Sequence, residues 1–201
     1  MLRGYSEGEY VWNAVLSSLV TLLSVRLGNA LLSMFVRFGD VGNAWNVLGR
    51  MGERDLFSWN VLVGGYAKTG FIEEALCLYY RMLLAGIRPD VNSFPCLLRS
   101  CGGAMDLVRG GEVHAHVVRF GFEMDVDVVN ALITMYMKCA DIVSARMLFD
   151  KMPNRDRISW NAMISGYFDN MECLEGLKLF FRMLELSIDP DLMTLTSVIA
   201  A

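Results

Sequence analysis

Along residues 56–67 the apolar positions Leu56, Trp59, Leu62, Val63 and Tyr66 fall at intervals of three and four. That spacing lines one face of a helix. Lys68, Thr69 and Gly70 follow as a stop, with a glycine able to take the left-handed cap conformation. A second stripe of Ala75, Leu78, Tyr79 and Met82 predicts another helix from about Ile72 to Leu84, ended by Gly86 and Pro89. The pattern is a helical hairpin with no strand alternation in it.

The hairpin recurs on a fixed ruler. Ser58-Trp59-Asn60 returns as Ser159-Trp160-Asn161, and Asn29-Ala30-Leu31 returns as Asn130-Ala131-Leu132. Closing segments recur too: Met51 to Asp55 matches Met152 to Asp156, and Arg88-Pro89-Asp90 matches Asp189-Pro190-Asp191. The blocks are 25–55, 56–90, 91–125, 126–156 and 157–191. Residues 1–24 read as a degenerate partial repeat, and 192–201 as the truncated start of another. Repeats of this length, each a supersecondary unit covered by its neighbours, predict a quasi-one-dimensional stack within one domain.

Matched positions make sense as packing. The twentieth residue of four blocks is small (Ala44, Ala75, Ala145, Gly176) and lets helix backbones approach. The twenty-fourth is large (Leu48, Tyr79, Phe149, Phe180), and the twenty-seventh is methionine (Met51, Met82, Met152, Met183). Methionine fills irregular gaps, which accounts for the high count of 14 without a metal or cofactor. The turn glycines Gly39 and Gly70 are replaced by Ala140 and Met171. Either those turns keep a left-handed residue at roughly 1–2 kcal/mol of strain each, or they are rebuilt.

Composition narrows the function classes. The longest apolar stretch, Ala14 to Val25, carries three serines and a threonine and is too short to span a bilayer. Net charge is −4, so any nucleic-acid contact needs a local basic stripe. Five cysteines without Cys-x-x-Cys spacing fit free thiols in a reducing compartment. No transit peptide is recognisable at Met1, which begins in mid-array, and the exposed stack ends predict poor solubility. His114 and His116 have neither the His-x-Glu nor the Cys-x-x-Cys of a zinc deaminase beside them, and no other catalytic constellation supports an enzyme.

A 35-residue helical hairpin closing on a Gly-Ile-x-Pro-Asp-like tail resembles the pentatricopeptide repeat. The order of 31-, 35- and 35-residue blocks resembles the plant PLS subclass, with 25–55 as S, 56–90 as P, 91–125 as L, 126–156 as S, 157–191 as P, and 192–201 as a cut L motif. The resemblance implies an all-α fold, an α-solenoid (superhelix) of helix-turn-helix repeats. The wording of Leu27 to Gly39 and of Asp189 to Val198 is close to a chloroplast RNA-editing member of the family. That implies the chloroplast, with the mitochondrion as the alternative.

In that family each repeat reads one RNA base with its fifth and last residues, an established mode. The pairs here are Asn29 with Asp55, Asn60 with Asp90, Asn130 with Asp156, and Asn161 with Asp191. The resemblance implies uracil at each, with cytosine tolerated. The L block has Pro95 and Asp125 and implies no preference, giving 5′-UUNUU-3′. Thr196 then leans towards a purine. Second residues pack against bases: Phe57 and Ile158 suit this, Arg26 and Asp127 do not. Thirteenth residues face phosphate: Arg37, Lys68 and Lys138, with Asp169 as the exception. Trp59 and Trp160 read as helix packing rather than stacking platforms.

The expected partner is single-stranded organellar RNA, with other editing factors as further candidates. No membrane, DNA or cofactor is implied. A deaminase acting at the chosen site would lie downstream or on a partner. The alternatives are a protein-interaction solenoid and a different role in organellar RNA processing.

Overall fold

The computed structural model describes residues 25–199, and among them every regular element is a helix. The partial repeat at 1–24 lies outside the described residues, as do 200 and 201. The chain divides into two compact units with the boundary between Arg88 and Pro89.

The first unit holds α1 (Val25–Arg37), α2 (Val41–Arg50), α3 (Leu56–Lys68) and α4 (Ile72–Leu84). Helices α1 and α3 pack on each other, α2 packs on both, and α4 lies against α3. Leu32, Ala44, Leu48, Leu62, Ala75, Tyr79 and Met82 form its core, each almost completely buried. The small and large positions read from the sequence meet there.

The second unit holds α5 (Ser93–Gly103), α6 (Leu107–Phe120), α7 (Val126–Lys138), α8 (Ile142–Lys151), α9 (Arg157–Asp169), α10 (Cys173–Glu185) and α11 (Leu192–Ile199). Helices α5, α7, α9 and α11 stack in that order, with α6, α8 and α10 each laid against the first helix of its own hairpin. Helix α7 is central. Val128, Leu132, Ile133 and Met135 are all fully buried, because neighbours cover it on both sides. Gly166 of α9 stands so close to Met137 of α7 that a Cβ there would lie 2.8 Å from the methionine Cβ.

The hairpin turns answer the question that Ala140 and Met171 raised. Both keep the left-handed conformation, at φ 59° and 62°, as Gly39 and Gly70 do at 75° and 83°. The hydrogen bonds explain why the turn is not rebuilt. Ala140 N–H donates to Met137 O and Asp141 N–H to Tyr136 O, at 3.1 and 2.9 Å. Met171 and Glu172 repeat the pair onto Phe168 and Tyr167, at 3.0 and 2.9 Å. These bonds satisfy the last helical carbonyls only if the turn residue is left-handed.

Among the described residues no helix is long and apolar enough to cross a membrane. All five cysteines are free.

Candidate nucleic-acid interface

The aspartates that close the blocks have a structural reason to be there. Asp55, Asp125, Asp156 and Asp191 stand just before α3, α7, α9 and α11. Each carboxylate accepts from the backbone N–H three residues on: Ser58 at 2.8 Å, Val128 at 3.1 Å, Ser159 at 2.8 Å and Thr194 at 3.0 Å. An N-cap of this kind satisfies one of the orphan donors of the helix and contributes about 1 kcal/mol.

Three of these caps also hold an asparagine from the first helix of their own block. Asn29 Nδ2 donates to both oxygens of Asp55 at 3.2 Å. Asn130 Nδ2 donates to Asp156 Oδ1 at 3.1 Å. Asn161 Nδ2 donates to Asp191 Oδ2 at 2.8 Å. The helix start fixes the carboxylate, and the carboxylate fixes the amide. The remaining pair divides between the two units. Asn60 lies on α3, whereas Asp90 precedes α5 and accepts there from Asn92 and Ser93. In the 91–125 block Pro95 offers no side-chain donor, and Asp125 acts as a cap.

Three hydroxyls without a role in the sequence reading complete these clusters. Ser58 Oγ lies 2.6 Å from Asn29 Oδ1 and 2.7 Å from Asp55 Oδ1. Thr194 Oγ1 bonds Asn161 Oδ1 and lies 3.1 Å from Asp191 Oδ1. Ser159 differs: its Oγ donates to Asp156 Oδ1 at 2.8 Å and accepts from the Asp156 N–H at 3.2 Å. That leaves Asn130 Oδ1 buried with no protein partner. A signal for these hydroxyls was present. Ser58, Ser93, Ser159 and Thr194 all stand three residues after the closing aspartate, at the helix position where a side chain faces the cap.

The same bonds set the charge. Burial pushes the Asp55 carboxyl up, but the Ser58 N–H, the Ser58 hydroxyl and the Asn29 amide outweigh it and hold it below the usual carboxylate range. At Asp156 burial is likewise outweighed by Ser159 and Asn130. At Asp191 the Thr194 N–H leads, burial opposes, and the Thr194 hydroxyl, Asn161 and Arg157 add to the lowering. All three carboxylates are anionic at neutral pH.

The loops before α3 and α9 are pinned by matched arginines. Arg54 donates through Nε to Leu48 O at 2.7 Å and through Nη2 to Gly49 O at 2.9 Å. Arg155 does the same to Phe149 O and Asp150 O at 2.8 and 2.9 Å, with its guanidinium 4.8 Å from the Phe149 ring centroid. Each caps the preceding helix and fixes the chain one residue before the aspartate.

The other assigned positions fall on the surface. Phe57 and Ile158, in the first turns of α3 and α9, are 54% and 58% exposed. Arg26 and Asp127, the polar residues at the matching places, are exposed as well. Arg37, Lys68 and Lys138 are exposed in the last turns of α1, α3 and α7, where the helix dipole also favours a cation. Asp169 ends α9. Trp59 and Trp160 are 5% and 3% exposed and serve packing, Trp160 edge-on to Phe149. His114 and His116 belong to α6. His114 Nδ1 lies 2.8 Å from the Tyr136 hydroxyl, and burial lowers the pKa of both imidazoles. Within the second unit a groove of about 590 Å³ runs past Asn92, Pro95, Arg99, Asp127, Asn130 and Ile158. Second and fifth residues of successive blocks share its wall.

Family models agree with the repeat. The model described as a PPR repeat family matches residues 54–103, and the PPR repeat model matches 29–56, 127–156 and 158–188. A chloroplastic pentatricopeptide repeat-containing protein of Arabidopsis thaliana is 66% identical over 200 residues, covering 99% of this chain and 23% of the relative. A second chloroplastic one from the same plant is 40% identical over 176 residues, covering 87% and 33%. The chain therefore spans a quarter to a third of the length of these relatives, and the first relationship places it in the chloroplast.

Among solved structures, the pentatricopeptide repeat protein PPR10 in complex with an 18-nt psaJ RNA element matches at a TM-score of 0.78 and 16% identity, covering 92% of this chain and 29% of that one. The PPR domain of Arabidopsis thaliana protein-only RNase P 1 in complex with tRNA matches at 0.66 and 14%, covering 87% and 96%. These likenesses give the fold, an α-solenoid. By sequence model, near relatives and fold together, the chain belongs to the pentatricopeptide repeat family.

Proposed function

We propose that this array binds single-stranded organellar RNA, one base per block, as the site-recognition part of a C-to-U editing factor. The observation that carries the reading is the amide–carboxylate cluster repeated at the same register in the blocks 25–55, 126–156 and 157–191. A block needs no such pair to fold, since Asp125 caps α7 without one. The likeness of the fold to proteins solved with RNA supports the same reading.

An asparagine amide offers a donor and an acceptor side by side, which can match the mixed edge of a pyrimidine. The reading assigns uracil to the four Asn–Asp blocks and none to the Pro95 block, hence 5′-UUNUU-3′. It includes Asn60 with Asp90, base packing by Phe57 and Ile158, and phosphate contact by Arg37, Lys68 and Lys138. Block lengths favour the PLS order of S, P and L motifs. The wording of Leu27 to Gly39 and Asp189 to Val198 is close to the chloroplast editing factor Vanilla Cream, which favours editing over other RNA processing. The deamination itself would belong to another domain or partner.

Competition between 5′-UUNUU-3′ and an A-rich oligomer of equal length, at moderate salt, tests this. Stacking supplies on the order of 1–3 kcal/mol per base irrespective of sequence, so the informative quantity is the ratio of affinities. Tighter binding of the U-rich oligomer is expected. Equal affinity overturns base reading, and a chain that binds neither falls back to a protein-interaction solenoid.

A further inference from the structure

Resting on the base-reading proposal, we infer that the hydroxyls of Ser58 and Thr194, supplied by the following block, are positioning residues that set the choice of uracil over cytosine. Uracil presents an N3–H donor beside a carbonyl acceptor. Cytosine presents an N3 acceptor beside an amino donor. An asparagine can match either edge, and the two matches differ by exchange of its oxygen and nitrogen. Whatever fixes the amide's orientation therefore decides between the two bases.

In the 25–55 block both ends of the amide are held. Asp55 takes an Asn29 N–H, and the single Ser58 O–H is shared between Asn29 Oδ1 at 2.6 Å and Asp55 Oδ1 at 2.7 Å. One N–H and one oxygen lone pair remain, in a fixed order. The 157–191 block repeats this with Asp191 and Thr194 around Asn161. In the 126–156 block only the nitrogen end is held. Ser159 turns its hydroxyl onto Asp156, and Asn130 Oδ1 is buried without a partner. Contact with a base there requires Asn130 to turn, so its orientation is not imposed in advance.

The clamp thus predicts two grades of reading within one chain. The first and fifth bases of 5′-UUNUU-3′ are read strictly as uracil, and the fourth accepts cytosine more evenly.

Affinities of the full chain for oligomers carrying a single U-to-C change at the first, fourth or fifth position test this. For the wild type, the U-over-C ratio should be about fivefold larger at the first and fifth positions than at the fourth, the size of one neutral hydrogen bond. Ser58→Ala should bring the ratio at the first position down by a similar factor and leave the fifth untouched. Ser58→Thr should restore it. Ser159→Ala removes a hydroxyl that bonds Asp156 but not the asparagine, and the ratio at the fourth position should move less than Ser58→Ala moves the ratio at the first. Equal ratios at all three positions in the wild type, or an unchanged first-position ratio in Ser58→Ala, overturn the clamp while base reading stands. A wild type that prefers no base at any position overturns both.

Discussion

Asn29 and Asp55 stand 26 residues apart in the chain and are joined by a two-pronged contact, the amide nitrogen lying 3.2 Å from each carboxylate oxygen. The aspartate serves two masters. It caps α3 through Ser58, and it holds the amide of the block it closes. Substitutions at its two ends should therefore separate.

Asp55→Ala removes both functions. It should destabilise the chain by about 1 kcal/mol, the usual worth of an N-cap, and abolish preference at the first base. Asn29→Ala removes only the amide from a half-buried site. It should cost less than Asp55→Ala, because the N-cap bond from the Ser58 N–H stays in place, while abolishing the same preference. Urea denaturation and oligomer competition on both variants check the split. Equal destabilisation by the two would mean that the asparagine is structural.

The left-handed turns give a stability prediction independent of RNA. Ala140 and Met171 sit at φ 59° and 62° with exposed side chains, so their conformation brings strain and little packing in return. Ala140→Gly and Met171→Gly should each raise stability by about 1 kcal/mol, the relieved strain of roughly 1–2 kcal/mol being offset in part by the greater freedom of glycine in the unfolded chain. Thermal melts of the single and double variants check this, and a fall in melting temperature would show that those side chains contribute packing that their exposure hides.

Much of this molecule was legible from residue spacing. The helix from Ile72 to Leu84 and the burial of Ala75, Tyr79 and Met82 follow from the apolar stripe, because a stacked hairpin buries whatever lies on that face. Asn29 and Asp55 were legible only through the repeat register. Nothing local ties residues so far apart. Ser58 escaped because a serine early in a helix has several ordinary uses. Its hydroxyl meets the amide of the preceding block only once the two hairpins stack. The different turn taken by Ser159 has no counterpart in the sequence at all. Its neighbours in the tripeptide are the same as those of Ser58, yet its hydroxyl exchanges bonds with Asp156 alone.

Acid should affect stability in two stages. Burial lowers the pKa of His114 and His116 below the ordinary value near 6.5. The unfolded chain therefore takes up protons first, and stability falls as pH drops below about 6.5. Asp55, Asp156 and Asp191 titrate below the ordinary 3.8. Their contribution is complete above that value and is lost as pH falls through their lowered folded values. Of these titrating groups only the aspartates stand in the base-reading clusters, so the U-over-A affinity ratio should stay flat from pH 8 to 5 even as the melting temperature begins to decline. A ratio that changes with histidine titration would place His114 or His116 in the interface.

Arg155 offers the last test, because it acts on Asp156 without touching the asparagine. Its guanidinium bonds two carbonyls at the end of α8 and lies over Phe149. Lysine keeps the charge but has neither the planar fork nor the same stacking. Arg155→Lys should therefore cost about 1 kcal/mol, the scale of a charged hydrogen bond discounted for partial exposure, and loosen the loop that presents Asp156. Binding should weaken at the fourth base, while the first base keeps its preference. The matched variant Arg54→Lys should do the reverse. Its effect falls on Asp55, and its stability cost should be smaller because Leu48, the residue that matches Phe149, is not aromatic. Hydrogen exchange at the Ser58 and Ser159 amides, which the two aspartates cap, reads the local loosening directly. Protection lost at Ser159 alone in Arg155→Lys, and at Ser58 alone in Arg54→Lys, is the expected pattern. Protection lost at both amides in either variant would show that the loops are not independently pinned.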